Sequence, residues 1–348
     1  MDFEQNNGIS GAAGDQSPEQ QFYPAAGPAP NKKRSGWRIF WGIFLALSVL
    51  ANIVLFLMVV GVFAVLVSGQ AGIITEKTLI DGPRANKIAV VNLYGLIDGE
   101  TSQDVTEQLQ HAGRDDNVKA VILRVDSPGG TISGSDQIHN EILKLRDRTD
   151  KPVVAFMRNI AASGGYYCSV AAERIVAEPT TITGSVGVIM GYLVLEELLE
   201  GKLGIHPVIV KSGEKKDWPS SFHQPTQEQL DYLQQKVIDP AYNRFVNIVA
   251  DGRTSLSFDD VNRLSDGSIY PAQEALDEQL IDGIGYFDDA VEQAKELAGI
   301  KKALVVEYER PFSFANLLGS SAKGILKIDR KTLFELSTPQ VLYLWSIY

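Results

Sequence analysis

Cysteine and histidine are scarce in this sequence of 348 residues, which has one cysteine and four histidines. Cys168 has no second cysteine with which to form an intramolecular disulfide bond, and its apolar surroundings favour a small core residue over a nucleophile. The histidines lack the close spacing of zinc ligands; they are His111, His139, His206 and His223. We therefore expect no metal site and no cofactor.

An excess of basic residues is also missing. The sequence holds 32 lysines and arginines against 43 aspartates and glutamates, which gives a formal net charge of −11. Proteins that bind nucleic acids need a basic face to neutralise the phosphates. Because no such face can be found in the sequence, we expect no nucleic-acid partner.

One long hydrophobic run lies near the N-terminus. It extends from Ile39 to Val67 without a charged residue, which is longer than the roughly 20 residues that a helix needs to cross a bilayer. The basic residues Lys32, Lys33 and Arg34 precede it and favour a cytoplasmic N-terminus. A cleaved signal peptide is the alternative, but the run is long for one. The pattern predicts a single-pass anchor in the cell membrane, with the rest of the chain on the extracytoplasmic side.

The remainder of the chain alternates apolar strands with amphipathic helices, which is typical of an α/β domain with a parallel or mixed sheet. Apolar residues beyond Arg310 predict that the C-terminal end docks on the body, on a partner subunit or on the membrane surface. The predicted organisation is a disordered cytoplasmic tail (1–36), a transmembrane helix (37–69), a linker (70–86), a globular domain (87–305) and a C-terminal extension (306–348).

Ser163 occupies the most informative stretch, Asn-Ile-Ala-Ala-Ser-Gly-Gly-Tyr-Tyr-Cys-Ser, which follows the apolar run Val153–Met157. The pattern places Ser163 where a strand ends and a helix begins. Free N–H groups at a helix start favour the negative charge that develops when a hydroxyl attacks a carbonyl. Gly164 and Gly165 would let a substrate backbone approach closely. An ordinary helix-capping serine is the alternative.

Two further segments have residues suited to hydrolysis. Asp126-Ser-Pro-Gly-Gly-Thr131 follows a predicted strand, and its glycines could turn N–H groups toward an oxyanion; a plain Pro-Gly turn is the alternative. The segment Lys211-Ser-Gly-Glu-Lys-Lys-Asp217 follows a strand predicted at 206–211. A catalytic lysine must be neutral, and an adjacent lysine lowers its pKa by repulsion. Lysine-rich loops are otherwise solvated surface.

Downstream, the periodicity predicts one helix from Thr226 to Val249, kinked at Pro240.

Three motifs occur together in one order: Ser-Pro-Gly-Gly, Ser-Gly-Gly-Tyr-Tyr, and Thr-Gly-Ser-Val-Gly followed by Lys-Ser-Gly-x-x-Lys-Asp. This combination resembles the short, single-domain signal peptide peptidases of peptidase family S49, over residues 86–299 and the N-terminal anchor. The resemblance implies a ClpP/crotonase-like α/β fold and a membrane-anchored serine endopeptidase. It also implies a homo-oligomeric ring, expected as an octamer, whose substrates are remnant signal peptides and also misfolded membrane or secreted proteins.

The resemblance further assigns roles to individual residues. Ser163 matches the nucleophile and Lys216 the general base of a Ser-Lys dyad, although the spacing leaves Lys215 open as the base. Gly130 matches the oxyanion-hole position, and the Gly164 N–H is the expected second donor. Ser185, in Thr-Gly-Ser-Val-Gly, is expected to orient the lysine amine. The family also implies that the serine and lysine of one site come from adjacent protomers.

Two other functions remain open at this point. The same fold serves crotonase-type enzymes that act on acyl-CoA, although an extracytoplasmic domain is an unexpected place for CoA thioesters. The chain could also be a catalytically inactive membrane scaffold that has kept the fold.

Overall fold

A computed structural model describes Gly27 and residues 36–68, 74–310 and 340–345 of the chain. The predicted cytoplasmic tail lies almost entirely outside these residues, and so does most of the predicted C-terminal extension. The chain divides into two units, Met1–Phe63 and Ala64–Tyr348.

The first unit contains most of one long apolar helix, α1 (Gly36–Ser68). Its portion from Gly36 to Gly61 has a mean hydropathy of 2.9, and none of that portion is buried by the rest of the protein. An exposed apolar surface of this length matches the hydrocarbon core of a bilayer rather than water. The helix therefore fits the single transmembrane helix that the sequence predicts.

The second unit is built on a mixed sheet, which confirms the α/β class. The strands are β1 (Thr75–Ile80), β2 (Lys87–Ile97), β3 (Val118–Thr131), β4 (Val153–Ala162), β5 (Arg174–Ala177), β6 (Ile182–Gly184), β7 (Ile189–Gly191), β8 (Ile269–Pro271), β9 (Gly283–Ile284), β10 (Leu304–Glu309) and β11 (Gln340–Leu344). The central path runs β1-β10-β2-β3-β4-β5-β9, and neighbouring strands along it are parallel except for the pair β1 and β10.

Helices cover both faces of the sheet. They are α2 (Gly99–Arg114), α3 (Ile132–Thr149), α4 (Gly164–Ser169), α5 (Gln227–Leu233), α6 (Asp239–Gly252), α7 (Phe258–Leu264), α8 (Ala272–Asp277) and α9 (Phe287–Leu297). Along β2, alternate residues enter different cores: Val91 and Leu93 join the core of α2, α3 and α6, whereas Val90 packs against α9. Burial on both faces explains why the central strands are apolar without interruption.

A second layer of strands branches from the central path near the carboxyl ends of β3 and β4. There β6 pairs with β4 in parallel, and β8 pairs with β6 in antiparallel orientation. Strand β11 pairs antiparallel with both β3 and β7. Because parallel strands present their carboxyl ends at one edge, this branch brings together the Ser-Pro-Gly-Gly, Ser-Gly-Gly-Tyr-Tyr and Thr-Gly-Ser-Val-Gly segments.

Some predicted elements differ from the observed ones. The segment 70–86 was expected as a linker, but it contains β1, which pairs with β10 and so belongs to the folded unit. Residues 206–211 were expected as a strand, but they form no strand because no described strand pairs with them. Between β7 and this segment lies a short π-helical segment, Glu197–Lys202.

The long helix predicted from Thr226 to Val249 is divided into α5, a π-helical segment (Gln234–Ile238) and α6. Pro240 lies in the first turn of α6, where its missing N–H leaves no acceptor unpaired. The wider π-helical turn before it absorbs the change in hydrogen-bond register. The backbone therefore accommodates Pro240 by changing from a π-helix to an α-helix just before it.

Candidate active site

Ser163 lies between β4 and α4 in a strained backbone conformation. Its φ of 52° and ψ of −114° are rare for a residue with a side chain, and such strain is found mainly at functional sites. The residue is only 1% exposed, and its N–H donates to the Gly184 carbonyl at 2.8 Å. Although Ser163 stands at the N-cap position, its hydroxyl makes no capping hydrogen bond. The side chain is therefore not needed to start α4.

The Ser-Pro-Gly-Gly segment continues β3 in extended form instead of making a turn, which corrects the plain Pro-Gly turn considered above. Gly129 has a φ of 102°, and a Cβ there would lie 2.0 Å from the Tyr343 carbonyl oxygen. A Cβ on Gly130 would lie 2.2 Å from the Ile97 carbonyl oxygen. Both glycines are thus required by close backbone packing. The Gly129 N–H donates to the Ser127 hydroxyl at 3.1 Å, and this hydrogen bond fixes the backbone that leads into the two glycines.

Strand β11 lies along this glycine pair. Tyr343 stands opposite Gly130, and the Trp345 N–H donates to the Pro128 carbonyl at 2.8 Å. Hydrogen-bonded pairs alternate along an antiparallel ladder, so the Gly130 N–H faces the Tyr343 carbonyl. A Cβ on Gly164 would lie 3.1 Å from the same carbonyl oxygen. The Tyr343 carbonyl thus lies between the glycine pair and the first residue of α4.

The other edge of β11 pairs with β7, where Val341 stands opposite Met190. The chain's own segment is therefore held between two strands of the same molecule. Proteins that bind extended peptides by strand addition use the same arrangement, in which main-chain hydrogen bonds hold the peptide and side-chain pockets read it.

The side chain of Tyr343 fills a closed pocket. It is fully buried, its ring stacks on Tyr167 at 5.0 Å, and it meets Phe245 at 4.7 Å between ring centroids. Its hydroxyl donates to the Ala241 carbonyl at 2.8 Å. Burial in this apolar pocket raises the pKa of Tyr343 above its ordinary value, so the phenol stays a hydrogen-bond donor.

The three lysines of the 211–217 segment have different surroundings. Lys211 pairs with Asp217 at 2.8 Å, and the Lys215 ammonium lies over the rings of Trp218 and Tyr232, at 5.2 and 4.6 Å from their centroids. Lys216 lies in a short 3₁₀ turn (Glu214–Asp217) and is exposed. Within the described residues its side chain has no hydrogen bond or ion pair, so one chain alone shows no hydrogen bond between Lys216 and Ser163.

Ser185 lies beside the nucleophile candidate. It follows Gly184, whose carbonyl accepts the Ser163 N–H, and it too has a positive φ, of 51°. The Ser185 N–H donates to the Ser268 carbonyl at 2.7 Å, and this hydrogen bond connects the segment to the residue before β8. A cavity of 680 Å³ opens in front of it, lined also by Tyr242, Asp266 and Trp345. The predicted residues Ser163, Gly130, Gly164 and Ser185 are thus neighbours, and Lys216 is the one left outside.

Sequence reasoning missed the residues that build the Tyr343 pocket. The Tyr167 hydroxyl donates to Asp136 at 2.7 Å, and the Arg244 Nε donates to the same carboxylate at 2.9 Å. His139 packs against the Tyr167 ring at 5.3 Å, and burial lowers the pKa of His139 to about 4. The doubled tyrosine after Gly165 was a usable signal, because large aromatic rings beside a helix start often form pocket walls.

Cys168 is buried in the same core, and its thiol lies 3.5 Å from the Ser135 carbonyl. Burial raises the pKa of Cys168 well above its ordinary value, which keeps the thiol protonated and unreactive. This agrees with the core role expected from the sequence. Among the residues that the structure describes, no cluster of histidine, cysteine and carboxylate side chains has metal-binding geometry.

Two family models match the chain. Peptidase family S49 matches residues 146–301, and Clp protease matches residues 80–181. Ser163 lies in the stretch that both cover. The second match agrees with the observed sheet and shows a Clp protease-like fold. Among solved structures, a ClpP1 mutant from Listeria monocytogenes is 20% identical, with a TM-score of 0.40, and the match covers 58% of this chain and 94% of that one.

Several curated proteins are similar in sequence. "Putative signal peptide peptidase SppA" of Enterococcus faecium is 39% identical over 247 residues, which cover 68% of this chain and 71% of that protein. Protease 4 of Haemophilus influenzae is 37% identical over 64% of this chain and 36% of its own length. The chloroplastic serine protease SPPA of Arabidopsis thaliana is 33% identical over 66% and 34%. The chain therefore spans about a third of the two longer relatives, and it belongs to peptidase family S49 and is a serine protease of that family.

Proposed function

We propose that the chain is a membrane-anchored endopeptidase in which Ser163 is the nucleophile and Lys216 the general base. The observation that carries the proposal is the position of β11. This strand lies in the groove as an extended peptide would, with a backbone carbonyl against Gly130 and Gly164 at the buried, strained Ser163. The residues at that point are those that an attack on a peptide bond requires.

The reaction follows from this geometry. The Ser163 hydroxyl attacks the carbonyl of the bound peptide, and its proton passes to the neutral amine of Lys216. The N–H groups of Gly130 and Gly164 stabilise the oxyanion, since both belong to backbone that is already fixed. The peptide C–N bond breaks as the lysine returns the proton to the leaving amine, and water then hydrolyses the acyl-enzyme.

The surroundings of the lysines favour Lys216 over Lys215 as the base. A general base must lose its proton, and the two aromatic rings beneath Lys215 stabilise its charged form. The carboxylate of Asp217 does the same for Lys211. Lys216 has no such partner within the described chain, so its amine is free to enter a second site.

We propose that this site belongs to a neighbouring copy of the chain. Ser163 is buried and Lys216 is exposed, and the segment before the lysines is unusually apolar: Val208 is 86% exposed and Val210 96% exposed. Large exposed apolar side chains in a row mark a surface that is covered by a partner. A second copy placed there would carry its Lys216 toward the cavity beside Ser185, whose hydroxyl would orient the amine. The expected assembly is a homo-oligomeric ring, with eight protomers.

Helix α1 supplies the membrane anchor, with the N-terminus in the cytoplasm and the protease domain on the extracytoplasmic side. A protease held at the membrane surface meets peptides that the membrane releases. We therefore propose remnant signal peptides as substrates, together with misfolded membrane or secreted proteins. The apolar pocket that Tyr343 fills suits the hydrophobic side chains of such segments.

The alternatives are less consistent with the groove. A crotonase-type enzyme needs a site for an acyl-CoA thioester, whereas this groove holds the extended segment β11. A scaffold without activity would not need Ser163 in a strained conformation with an unused hydroxyl. Both alternatives predict that the full chain does not hydrolyse peptides.

The deciding experiment measures hydrolysis of a signal peptide by the full chain in detergent, alongside Ser163→Ala, Lys216→Ala and Lys215→Ala. We expect the first two variants to lose about 10³-fold or more in kcat/KM, and Lys215→Ala, the matched control, to keep most of the activity. If Lys215→Ala loses activity and Lys216→Ala keeps it, the general base is Lys215 and not Lys216. An oligomeric but inert wild-type chain would support the scaffold.

A further inference from the structure

A β-bulge interrupts β4 shortly before the proposed nucleophile. The ladder with β3 pairs Met157 with Val125. Its next pair joins Ala161 to Ser127, so β4 advances four residues while β3 advances two. The residues 158–160 of β4 therefore have no partner in the β3 ladder. Bulges of this kind bend a strand, and beside active sites they change the direction in which a side chain points.

The bulge is also the point at which β4 changes its other neighbour. Up to Met157 it pairs with β5, and from Ile160 it pairs with β6. Strand β6 ends at Gly184, whose carbonyl accepts the Ser163 N–H at 2.8 Å. The bulge thus carries β4 out of the central sheet and into the branch of strands that contains Ser163.

Asp126 occupies the bulge from the side of β3. One of its carboxylate oxygens accepts from the Asn159 side-chain amide at 2.8 Å, and the other accepts from the Ile160 N–H at 3.4 Å. Asp126 has two acceptor oxygens, so a single side chain replaces the ladder bonds that are missing here. Asp126 directly precedes the Ser-Pro-Gly-Gly segment. It therefore links the proposed oxyanion segment to the bulge of β4.

Thr181 holds the bulge from the opposite side. It is 1% exposed and follows the turn that joins β5 to β6. Its hydroxyl donates to the Arg158 carbonyl and lies 3.1 Å from the Met157 carbonyl. The Met157 carbonyl also accepts from the Glu178 N–H at 2.9 Å, but no described strand pairs with Arg158. Thr181 thus supplies a donor where the sheet supplies none, and a partly buried carbonyl without a donor is costly.

We propose that Asp126 and Thr181 are positioning residues, which hold the bulge of β4 in the shape that presents Ser163. This inference rests on the proposed function and adds two residues to that site. Within the described chain neither residue has a hydrogen bond with Ser163 or with β11, so both act through the backbone of β4. A displacement of reacting groups by about 1 Å lowers a rate about 10²-fold, so a small relaxation of the bulge is measurable.

The first test compares Thr181→Val with wild type, both as the full chain in detergent. Valine has nearly the shape of threonine but no hydroxyl, so the Arg158 carbonyl loses its donor. We expect kcat for signal-peptide hydrolysis to fall about tenfold or more, with KM within about twofold of wild type. The rate at which a fluorophosphonate labels Ser163 should fall in parallel. Unchanged kcat and labelling, or a loss confined to KM, overturns the role of Thr181.

Thr181→Ser and a matched control separate positioning from folding. Serine keeps the hydroxyl, so Thr181→Ser should restore most of the kcat; an equal loss in both variants would refute a role for the hydrogen bond. Thr149→Val removes a hydroxyl that donates to the Leu145 carbonyl at 2.6 Å, near the C-terminal end of α3. It should lower the Tm and leave kcat unchanged, and an equal fall in kcat would contradict a specific role for Thr181.

Asp126→Asn tests the other side of the bulge and does not depend on the folding of Thr181→Val. Asparagine has one acceptor oxygen where aspartate has two, so either the Asn159 amide or the Ile160 N–H loses its partner. We expect kcat to fall about three- to tenfold, and further in Asp126→Ala, with KM unchanged. Full activity of Asp126→Ala with a native Tm overturns the role of Asp126.

Ser163→Ala distinguishes failure of this inference from failure of the proposed function. If wild type cleaves the peptide and Ser163→Ala does not, while the variants of Asp126 and Thr181 keep full activity, the positioning roles are wrong and the nucleophile stands. If Ser163→Ala cleaves the peptide as fast as wild type, the proposed function is wrong and the positioning roles fall with it.

Discussion

The two halves of the proposed dyad lie in regions of opposite character. Ser163 is enclosed by the ends of β3, β4 and β6, its backbone is strained, and hydrogen bonds hold its neighbours Gly129 and Ser185. The segment from Val208 to Asp217 forms no strand, exposes valines almost completely and leaves Lys216 without a partner in the described chain. The chain's own fold organises the first half, whereas the second half lacks the contacts that would fix Lys216 in place. Each of the following predictions tests this division.

Mixing two inactive variants gives the largest expected effect. Ser163→Ala keeps an intact lysine and Lys216→Ala keeps an intact serine. If the dyad forms between copies, co-expression of the two should restore about a quarter of the wild-type activity, because a random ring pairs intact halves at that frequency. Each variant alone should be about 10³-fold or more below wild type. The measurement is the rate of peptide hydrolysis by each preparation.

The control for this experiment is co-expression of Ser163→Ala with a chain that carries both substitutions. That mixture has no intact serine, so it should stay inactive. If the first mixture is equally inactive although the rings form, the serine and lysine act within one chain, and the division between the two regions would not be functional.

The second prediction concerns the enclosed half. Gly129→Ala would place a Cβ 2.0 Å from the Tyr343 carbonyl oxygen and 2.7 Å from the Gly164 nitrogen, at a φ of 102°. Backbone cannot move aside as a flexible side chain does, so we expect a loss of about 2–4 kcal/mol in unfolding free energy and loss of peptide hydrolysis. Thermal unfolding and the peptide assay measure the two effects.

Gly267→Ala is the matched control, because Gly267 has a similar φ of 90° but nothing within 4 Å of the added Cβ. It isolates backbone strain, which should amount to about 1 kcal/mol, and it should leave most of the activity. If Gly129→Ala behaves like Gly267→Ala, close packing around Gly129 is not what the site requires.

Much of the enclosed half was predictable from local patterns, and the reason is physical. An apolar run followed by Ser-Gly-Gly predicts a strand, a tight turn and a helix, and all three are observed around Ser163. Docking of the C-terminal end on the body was one of three expected alternatives, and β11 shows it. Its pairing with β3 and the pocket of Tyr343 were not predicted, since the pairing of residues 130 and 343 depends on contacts far apart in sequence. The hydrogen bonds from Tyr167 and Arg244 to Asp136 were missed for the same reason, because they join three separate helices.

The exposed half shows the opposite error. Alternating valines at positions 208 and 210 resemble a strand, and a strand was expected at 206–211. Alternation predicts a strand only where one face is buried and a neighbour supplies hydrogen bonds. Within the described chain this segment has neither, so the pattern shows its apolar character without fixing its backbone.

The smallest predicted effect concerns pH and tests how tightly the enclosed half is packed. His139 lies behind Tyr167, and burial lowers its pKa from 6.5 to about 4, although Asp136 and Asp251 oppose the shift while Arg244 and Arg146 add to it. The unfolded chain therefore binds a proton between about pH 6.5 and pH 4 that the folded chain does not. The stability of the neutral, buried imidazole is fully present above pH 6.5 and is lost as pH falls through the folded pKa. Wild type should lose about 2–3 kcal/mol more than His139→Gln over this range, as measured by chemical unfolding of the full chain at each pH. Equal pH dependence of the two proteins would mean that water reaches His139 and that the wall behind Tyr167 is open.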